Sequence, residues 1–292
     1  MQAIERAQPW LGTLVSVRVQ GLDEQKAHRA IEAAFEEIAT VHRLMSFHDT
    51  ESDLSRLNRA GAVSPVEVHP YTYEVLQQAI QISAATNGCF DVTVGAELVE
   101  WDLLPRPAWT EETPHGSWSD IEMLPSNRVL FHRPLWIDLG GIAKGFAVDR
   151  ATDCLRAHGA WQTVVNAGGD IRVQGKDAEP IQLSEATAGD HMPVLELTDG
   201  SVASSSGHLQ RRRHHGRLCG PHVDGVRRTP APTDRFVCVV AEQCLIADAL
   251  TKVVMIQGEE SAAVLRRFDA SAYFRDSEQA WQQLETERAI AE

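Results

Sequence analysis

The spacing of apolar residues predicts several helices along this chain. Between residues 26 and 45, apolar side chains recur at steps of three and four, with Ile31, Ala34, Phe35 and Ile38 among them. This spacing places them on one face of an amphipathic helix and leaves the intervening glutamates toward solvent. Comparable patterns predict helices over residues 72–86, 142–158, 243–254 and 261–267, and a last helix from residue 277.

Short apolar runs bounded by turn residues predict the strands. In residues 12–19, Val15, Val17 and Val19 fall on one face, as in a half-buried strand. Strands at 163–165 and 171–173 flank Gly168-Gly169, which predicts a hairpin, and further strands are predicted at 194–197, 236–241 and 272–274. Because helices and strands are mixed throughout, we expect an α+β fold of mixed sheets with packed helices. Residues 101–120 show no period and are predicted to form a long surface loop.

The size and charge of the chain narrow the possible functions. It has 292 residues, with 27 Lys and Arg against 41 Asp and Glu, a net charge of −14. This length supports one domain over residues 1–292, either undivided or built of two packed lobes. The acidic balance argues against a nucleic-acid partner, because phosphate neutralisation requires a broad basic face. The one dense basic run, residues 211–217, is predicted to be a solvated loop.

Cysteine and hydropathy patterns bear on the cellular compartment. The five cysteines have no CxxC pairing, which favours reduced, structural thiols. No stretch of about eighteen apolar residues occurs, so we expect no membrane-spanning segment. As written, the chain is expected in the cytoplasm, or in the periplasm if a leader has been removed.

A strand-to-helix junction is the first candidate for chemistry. In residues 136–149 an apolar strand end meets Gly140-Gly141 and then a helix start. Free backbone N–H groups at a helix N-terminus bind phosphate, although the segment is neither a Walker loop nor a GxGxxG fingerprint. The alternative is a tight turn with Lys144 exposed.

Three further segments are weak signals when each is taken alone. Gly168-Gly169, within residues 166–170, allows a ligand to approach the backbone or simply makes a turn, and the small hydroxylic run 201–207 either binds an anion or is a linker. Asp248, Thr251 and Lys252 share one helical face. There the carboxylate and the hydroxyl suit Mg²⁺, while the alternative is an Asp248–Lys252 salt bridge.

Taken together and in order, these segments resemble the ApbE-type FAD:protein FMN transferases. The matching segments are Leu11-Gly12-Thr13, Met45-Ser46-Phe47 with Ser52-Asp53-Leu54-Ser55-Arg56-Leu57-Asn58, Phe90-Asp91-Val92-Thr93-Val94-Gly95, and residues 137–149, 166–170, 204–207 and 247–252. They cover nearly the whole chain, so the order is far more specific than any single motif. The resemblance implies an ApbE-like, T-fold-related architecture. It also implies an enzyme that uses FAD and Mg²⁺ to move FMN onto a Thr or Ser hydroxyl of an acceptor flavoprotein, releasing AMP.

The resemblance also assigns roles by position. The residues implied to contact the cofactor are Leu11, Phe47, Asp91, Val92, Thr93, Gly140, Phe146 and Val223. Ala143 falls where a backbone carbonyl reaches Mg²⁺, and Asp248 is the metal carboxylate. Asp170 and His222 are the two candidate general bases, between which the sequence does not decide.

One departure from the family pattern concerns the metal site. The metal-binding hydroxyl of the family usually stands four residues after the aspartate, and here that residue is Lys252, with Thr251 one place early. Either the hydroxyl of Thr251 takes the place of the family's metal-binding hydroxyl, or the ammonium of Lys252 replaces the positive charge of the metal. Two alternatives to the transferase follow: an FAD-binding carrier or regulatory relative without transferase activity, and an FAD pyrophosphatase that releases FMN and AMP.

Overall fold

A computed structural model describes residues 3–183, 193–208, 210–277 and 279–285. Its strands are β1 (Ile4–Trp10), β2 (Thr13–Gln20), β3 (Val66–Glu67), β4 (Ile121–Leu124), β5 (Arg128–Phe131), β6 (Gln162–Ala167), β7 (Asp170–Gln174), β8 (Glu179–Gln182), β9 (Val194–Leu197), β10 (Gly200–Ser206), β11 (Arg212–His214), β12 (Arg217–Cys219), β13 (Val223–Asp224), β14 (Thr229–Pro230), β15 (Arg235–Ala241), β16 (Ser271–Asp276) and β17 (Gln282–Leu284). Its α-helices are α1 (Glu24–Met45), α2 (Asp53–Ala60), α3 (Pro70–Ala85), α4 (Gly95–Glu100), α5 (Ala143–Ala157), α6 (Cys244–Gln257) and α7 (Ala262–Arg267).

One large antiparallel sheet organises the described residues. Its eight strands run in the order β1-β2-β6-β7-β10-β15-β16-β17. Helix α5 packs on β6 and β7, α6 packs on β10 and β15, and α1 lies against α5. The main apolar core fills the space between these helices and the sheet. The predicted α+β class is confirmed, and the start of α5, the face of α6 and the β6–β7 turn are brought to one region.

The helices with strong periodicity form close to where they are predicted. The pattern over residues 26–45 becomes α1, which begins two residues earlier because the Asp23 side chain caps it by accepting from the Lys26 N–H at 2.9 Å. The patterns over 72–86, 142–158, 243–254 and 261–267 become α3, α5, α6 and α7. The predicted glycine hairpin is β6–β7.

The predicted helix from residue 277 is wrong for the part that the structure describes. Residues 282–284 form β17, which extends the sheet by pairing with β16, and Ala272 faces Leu284. Trp281 packs edge-on against Phe236, with the two ring centroids 5.7 Å apart. Pairing at a sheet edge and aromatic burial outweigh the helix-forming composition here. Residues 286–292 lie outside the described part of the chain.

Two segments without a predicted strand form strands, one of them left open between an anion site and a linker and the other predicted as a loop. Residues 201–206 belong to β10 at the centre of the large sheet, so the linker interpretation is wrong. The basic run at residues 211–217 is solvated, as predicted, but it forms the two-stranded hairpin of β11 and β12 instead of a loop. Residues 102–117 contain no helix or strand, in keeping with the predicted surface loop.

All five cysteines are free thiols, as predicted, and four of them are buried. No described helix has both the length and the apolar character that a bilayer crossing requires.

Candidate functional site

Helices α5 and α6 approach each other so closely at Gly145 that no larger residue fits. A Cβ atom on Gly145 would lie 2.3 Å from the backbone oxygen of Cys244. Because the helices meet there, the Gly145 N–H donates to Asp248 Oδ2 at 3.1 Å. From the same face of α5, Asp149 accepts from the N–H groups of Cys244 and Leu245, both at 2.9 Å, and so caps the start of α6. The two helices therefore hold Asp248 in one place.

Lys252 stands one turn after Asp248 on α6 and forms an ion pair with it. Its ammonium contacts Asp248 Oδ1 and donates to the Asp248 backbone oxygen at 2.9 Å. The carboxylate is fully buried, and the lysine side chain is 12% exposed. The neighbouring Thr251 Oγ1 donates to the Asp248 backbone oxygen at 2.7 Å and lies 2.8 Å from the hydroxyl of Ser205. The salt-bridge alternative drawn from the sequence is present in the structure.

A second lysine–aspartate pair lies beside the first. Lys144, in the first turn of α5, contacts Oδ2 of Asp170, which begins β7 just after the glycine turn. The Asp170 side chain is 1% exposed, and its Oδ1 has no hydrogen-bond partner among the described residues. We call Lys144, Asp170, Asp248 and Lys252 the two-lysine cluster.

The four charges of this cluster act on one another. Burial raises the pKa of Asp170 to about 6, and the nearby charge of Asp248 adds to this effect. Burial also opposes ionisation of Asp248, but Lys252 and Lys144 outweigh it and lower the pKa of that carboxyl. Burial likewise disfavours the charge on Lys144, yet Asp170 and Asp248 raise its pKa. At neutral pH the cluster therefore holds two ammonium groups and two carboxylates.

The glycine turn of residues 139–142 covers Lys252. A Cβ atom on Gly141 would lie 3.3 Å from Cε of Lys252 and 3.7 Å from the ring of Phe90. The N–H of Gly140 donates to Asp138 Oδ2 at 3.0 Å, and Gly140 itself is exposed. Backbone N–H groups at the start of α5 and the Lys252 ammonium thus lie in one region, as anion binding requires.

His222 faces the same cluster. Burial, followed by the charges of Lys252 and Lys144, lowers the pKa of its imidazole to about 3. The ring is therefore neutral at physiological pH. The residue is half-buried, and its ring is hydrogen-bonded to the backbone of Ser206, whereas Asp170 is buried completely.

Three of the sequence motifs meet at the β6–β7 turn. Gly168 has a φ of +64°, and a Cβ atom there would lie 2.4 Å from the hydroxyl of Thr13. The Ser204 hydroxyl donates to the Gly169 backbone oxygen at 3.2 Å, and the Gly169 N–H donates to Asn166 Oδ1 at 3.0 Å. The β1–β2 turn, the β6–β7 turn and β10 therefore converge next to Asp170.

A second polar network holds the segment of residues 91–93. Arg228 donates to Asp91 Oδ2 at 2.9 Å, to the Thr93 backbone oxygen at 3.0 Å and to the Gly116 backbone oxygen at 2.6 Å. It also lies 3.6 Å from the buried carboxylate of Glu97. Asp91 and Arg228 line a cavity of about 460 Å³. Burial raises the pKa of Asp91, and Arg228 opposes the shift.

The two networks are joined through the backbone. The Asp138 N–H donates to the Val92 backbone oxygen at 2.7 Å, and the Gly95 N–H donates to the Trp136 backbone oxygen at 3.1 Å. Residues 92–95 therefore run beside residues 136–138, which lead into the glycine turn.

The remaining predicted cofactor residues have different surroundings. Leu11 is partly buried at the β1–β2 turn, with a φ of +55°, and Phe47 is partly buried against a small cluster that includes Trp136. Val223 is buried in β13 beside Val94 and Leu98. Val92 and Thr93 are buried.

Phe146 is not at the surface of the cluster. It is 3% exposed, and its ring packs edge-on against Tyr71 with centroids 5.6 Å apart. Its side chain therefore contributes to the core behind α5.

The described side chains do not fit a bound Mg²⁺ in this arrangement. Both oxygens of Asp248 already accept N–H bonds, from Lys252 and from Gly145, and the Thr251 hydroxyl is engaged with Ser205. Ala143 is the first residue of α5 and is 8% exposed. In the described part of the chain no group of three or more His, Cys, Asp or Glu residues is arranged to hold a metal ion. The magnesium implied by the resemblance stays a prediction.

Two residues of the site were not found from the sequence. Asp138 stands two residues before Gly140, at the end of an apolar run, and this position is the signal that could have marked it. Arg228 lies 137 residues from Asp91 in the chain, and no local pattern connects the two.

Comparison with known proteins shows similarity along most of the chain. The model of the ApbE family matches residues 11–274. An FAD:protein FMN transferase from Haemophilus influenzae is 28% identical over 262 residues, which span 82% of this chain and 74% of that protein. Another from Vibrio cholerae is 29% identical over 273 residues, which span 86% of this chain and 80% of that protein. The crystal structure of the ApbE protein from Thermotoga maritima superimposes with a TM-score of 0.84 at 27% identity, covering 97% of each chain. The family pattern thus extends over most of the sequence and the same fold over nearly all of it, and this chain belongs to the ApbE family.

Proposed function

We propose that this protein is an FAD:protein FMN transferase. A Thr or Ser hydroxyl of an acceptor protein attacks the phosphorus of the FMN half of FAD, and the bond to the AMP half breaks. The observation that carries the proposal is the two-lysine cluster beneath the glycine turn, in a chain whose relatives carry this name. The cluster takes residues from positions 144 to 252, so we propose that the chain acts as one domain.

The positions of the charged N–H donors in the site suit a diphosphate. The diphosphate of FAD is an anion, and both ammonium groups lie near backbone N–H groups at the start of α5. Positively charged donors fixed in place stabilise the charge that develops on the leaving phosphate. Positioning and electrostatics together account for most of the catalysis that such a transfer requires.

The proton of the attacking hydroxyl needs an acceptor, and we propose His222. A base must first reach the proton, and only then does its pKa matter. Asp170 is buried, with one oxygen on Lys144, whereas His222 is partly exposed and neutral. The two lysine charges help to keep the His222 pKa low, so a bound diphosphate would raise it.

A His222→Gln variant tests this role. We expect it to bind FAD with unchanged affinity and to transfer FMN at least about 100-fold more slowly, the size of effect typical of a lost general base. Binding is measured by flavin fluorescence and transfer by single-turnover kinetics. An unchanged rate of transfer would rule out His222 as the base.

The proposed function itself is tested with FAD and a protein domain that is a proven acceptor of a related FAD:protein FMN transferase. We expect the acceptor to gain the mass of one FMN phosphoester and AMP to appear in equal amount. The related transferase serves as the positive control, and an acceptor whose target Thr is replaced by Val serves as the negative control.

Two other outcomes would contradict the transferase. FAD converted to free FMN and AMP without modified acceptor would indicate a pyrophosphatase. FAD bound but unchanged, while the positive control modifies the acceptor, would indicate a carrier or regulatory protein.

A further inference from the structure

The ammonium of Lys252 lies under the glycine turn and is bound to the carboxylate of Asp248. Its Nζ contacts Asp248 Oδ1, and its aliphatic chain passes beneath Gly141. Only 12% of the Lys252 side chain is exposed, and its carboxylate partner is fully buried. The positive charge is therefore fixed by the fold under the glycine turn.

Each oxygen of the carboxylate that would hold a divalent cation already accepts an N–H bond. Asp248 Oδ2 accepts from the Gly145 N–H at 3.1 Å, and the close approach of α5 to α6 fixes that N–H. A metal ion at Asp248 would have to displace the Lys252 ammonium from the other oxygen or share that oxygen with it. It would then lie next to that ammonium, and two cations in a buried site repel each other strongly.

A second ammonium completes the arrangement. Lys144 is held by Asp170 in the first turn of α5. The charges of both lysines lower the pKa of Asp170 and of Asp248, so the two ammonium groups lie close to the same two carboxylates. Each ammonium is paired with a carboxylate, so the cluster offers a diphosphate fixed charged N–H donors and not a net positive charge.

We propose that Lys252 and Lys144 take the place of a divalent cation at the diphosphate, so that this chain binds and uses FAD without Mg²⁺. The inference rests on the proposed function for its substrate. In the reaction, the acceptor oxygen bonds to the FMN phosphorus as the bond from that phosphorus to the bridging oxygen breaks. AMP leaves with that oxygen, the hydroxyl proton goes to His222, and no electrons are exchanged with another reagent.

The affinity for FAD tests the inference without relying on turnover. Quenching of flavin fluorescence by the whole chain gives the dissociation constant for FAD, once in EDTA and once in millimolar MgCl₂. The unaltered protein is expected to show dissociation constants that agree within about twofold. FAD binding that requires Mg²⁺ would overturn the inference and leave the proposed function standing. FAD bound in neither solution would overturn both.

In a Lys252→Thr variant, FAD binding is expected to depend on Mg²⁺. Without the ammonium, one Asp248 oxygen is free and a hydroxyl stands beside it, so a metal site is created. We expect FAD affinity in EDTA to fall at least tenfold and to recover in MgCl₂. Lys176→Thr is the matched control, because Lys176 is an exposed lysine and its loss should change neither value. Equal affinity of Lys252→Thr and the unaltered chain in EDTA would contradict the proposal.

Direct metal binding gives a second readout. Titration with Mn²⁺, followed by electron paramagnetic resonance, is expected to show no bound ion in the unaltered protein with FAD and one bound ion in Lys252→Thr with FAD. One equivalent bound to the unaltered chain, and lost in Asp248→Asn, would overturn the inference. The measurements on the unaltered chain remain valid even if the Lys252→Thr variant does not fold.

Discussion

Replacing Asp248 with alanine is expected to lower the free energy of unfolding by about 3–5 kcal/mol and to weaken FAD binding, because Lys252 loses the carboxylate that holds its ammonium under the glycine turn. The substitution leaves the buried ammonium of Lys252 without its carboxylate and the Gly145 N–H without its acceptor. Removing one partner of a buried ion pair carries a cost of this size. Urea denaturation measures the change in stability, and flavin fluorescence measures the weakened binding.

Two further variants show whether the broken ion pair causes the loss of stability in Asp248→Ala. Asp153 pairs with Arg156 on the exposed side of α5, so Asp153→Ala should cost less than about 1 kcal/mol. The double variant Asp248→Asn with Lys252→Met removes both charges, and we expect it to recover most of the stability but not the affinity for FAD. An FAD affinity equal to that of the unaltered chain in this double variant would show that the lysine charge is not needed.

Replacing Arg228 with alanine is expected to lower the free energy of unfolding by about 3–5 kcal/mol, as for other broken buried ion pairs. Arg228 contacts both Asp91 and Glu97, whose side chains are 2% and 4% exposed, and Glu97 also contacts His115. Arg228 also ties residue 93 to residue 116, so its loss should loosen the wall of the 460 Å³ cavity. The neighbouring Arg227 is the matched control, because its side chain is 78% exposed and its loss should cost less than about 1 kcal/mol.

The pH dependence of stability provides a further check on Arg228. Burial already raises the pKa of Asp91, and Arg228 opposes the shift, so the pKa should rise further in Arg228→Ala. A native-state pKa above the unfolded value means that the folded protein binds more protons, so stability falls as the pH rises from about 4 through the raised pKa. The stability deficit of the variant should therefore be smaller at pH 5 than at pH 8. A deficit that is independent of pH would contradict the role of Arg228 as the counter-charge of Asp91.

The strongly periodic elements could be predicted because one physical rule decides them. Helices α1 and α5 bury an apolar face, and that face is visible in the spacing of the residues. Strand β1 could not be predicted, because its residues are mostly polar or exposed and it forms by pairing with β2 along its whole length. Strand β17 likewise depends on its neighbour in the sheet, and neither its own pattern nor its composition reveals that partner.

The candidate site could be predicted as a set of positions but not as a set of partners. The sequence placed Asp248 and Lys252 on one helical face, and the structure shows them in contact. It gave no sign that Lys144 would pair with Asp170, 26 residues away, since that contact depends on how α5 packs over the β6–β7 turn. The bond from Gly145 to Asp248 spans 103 residues and depends on the crossing of two helices.

A crystal structure of this protein with FAD, grown in EDTA, shows directly whether the two lysines hold the diphosphate. We predict electron density for the diphosphate beneath residues 139–142, with phosphate oxygens about 2.7–2.9 Å from the ammonium nitrogens of Lys144 and Lys252, as charge-assisted hydrogen bonds require. A diphosphate that lies in the cavity beside Asp91 and Arg228, away from both lysines, would contradict the account.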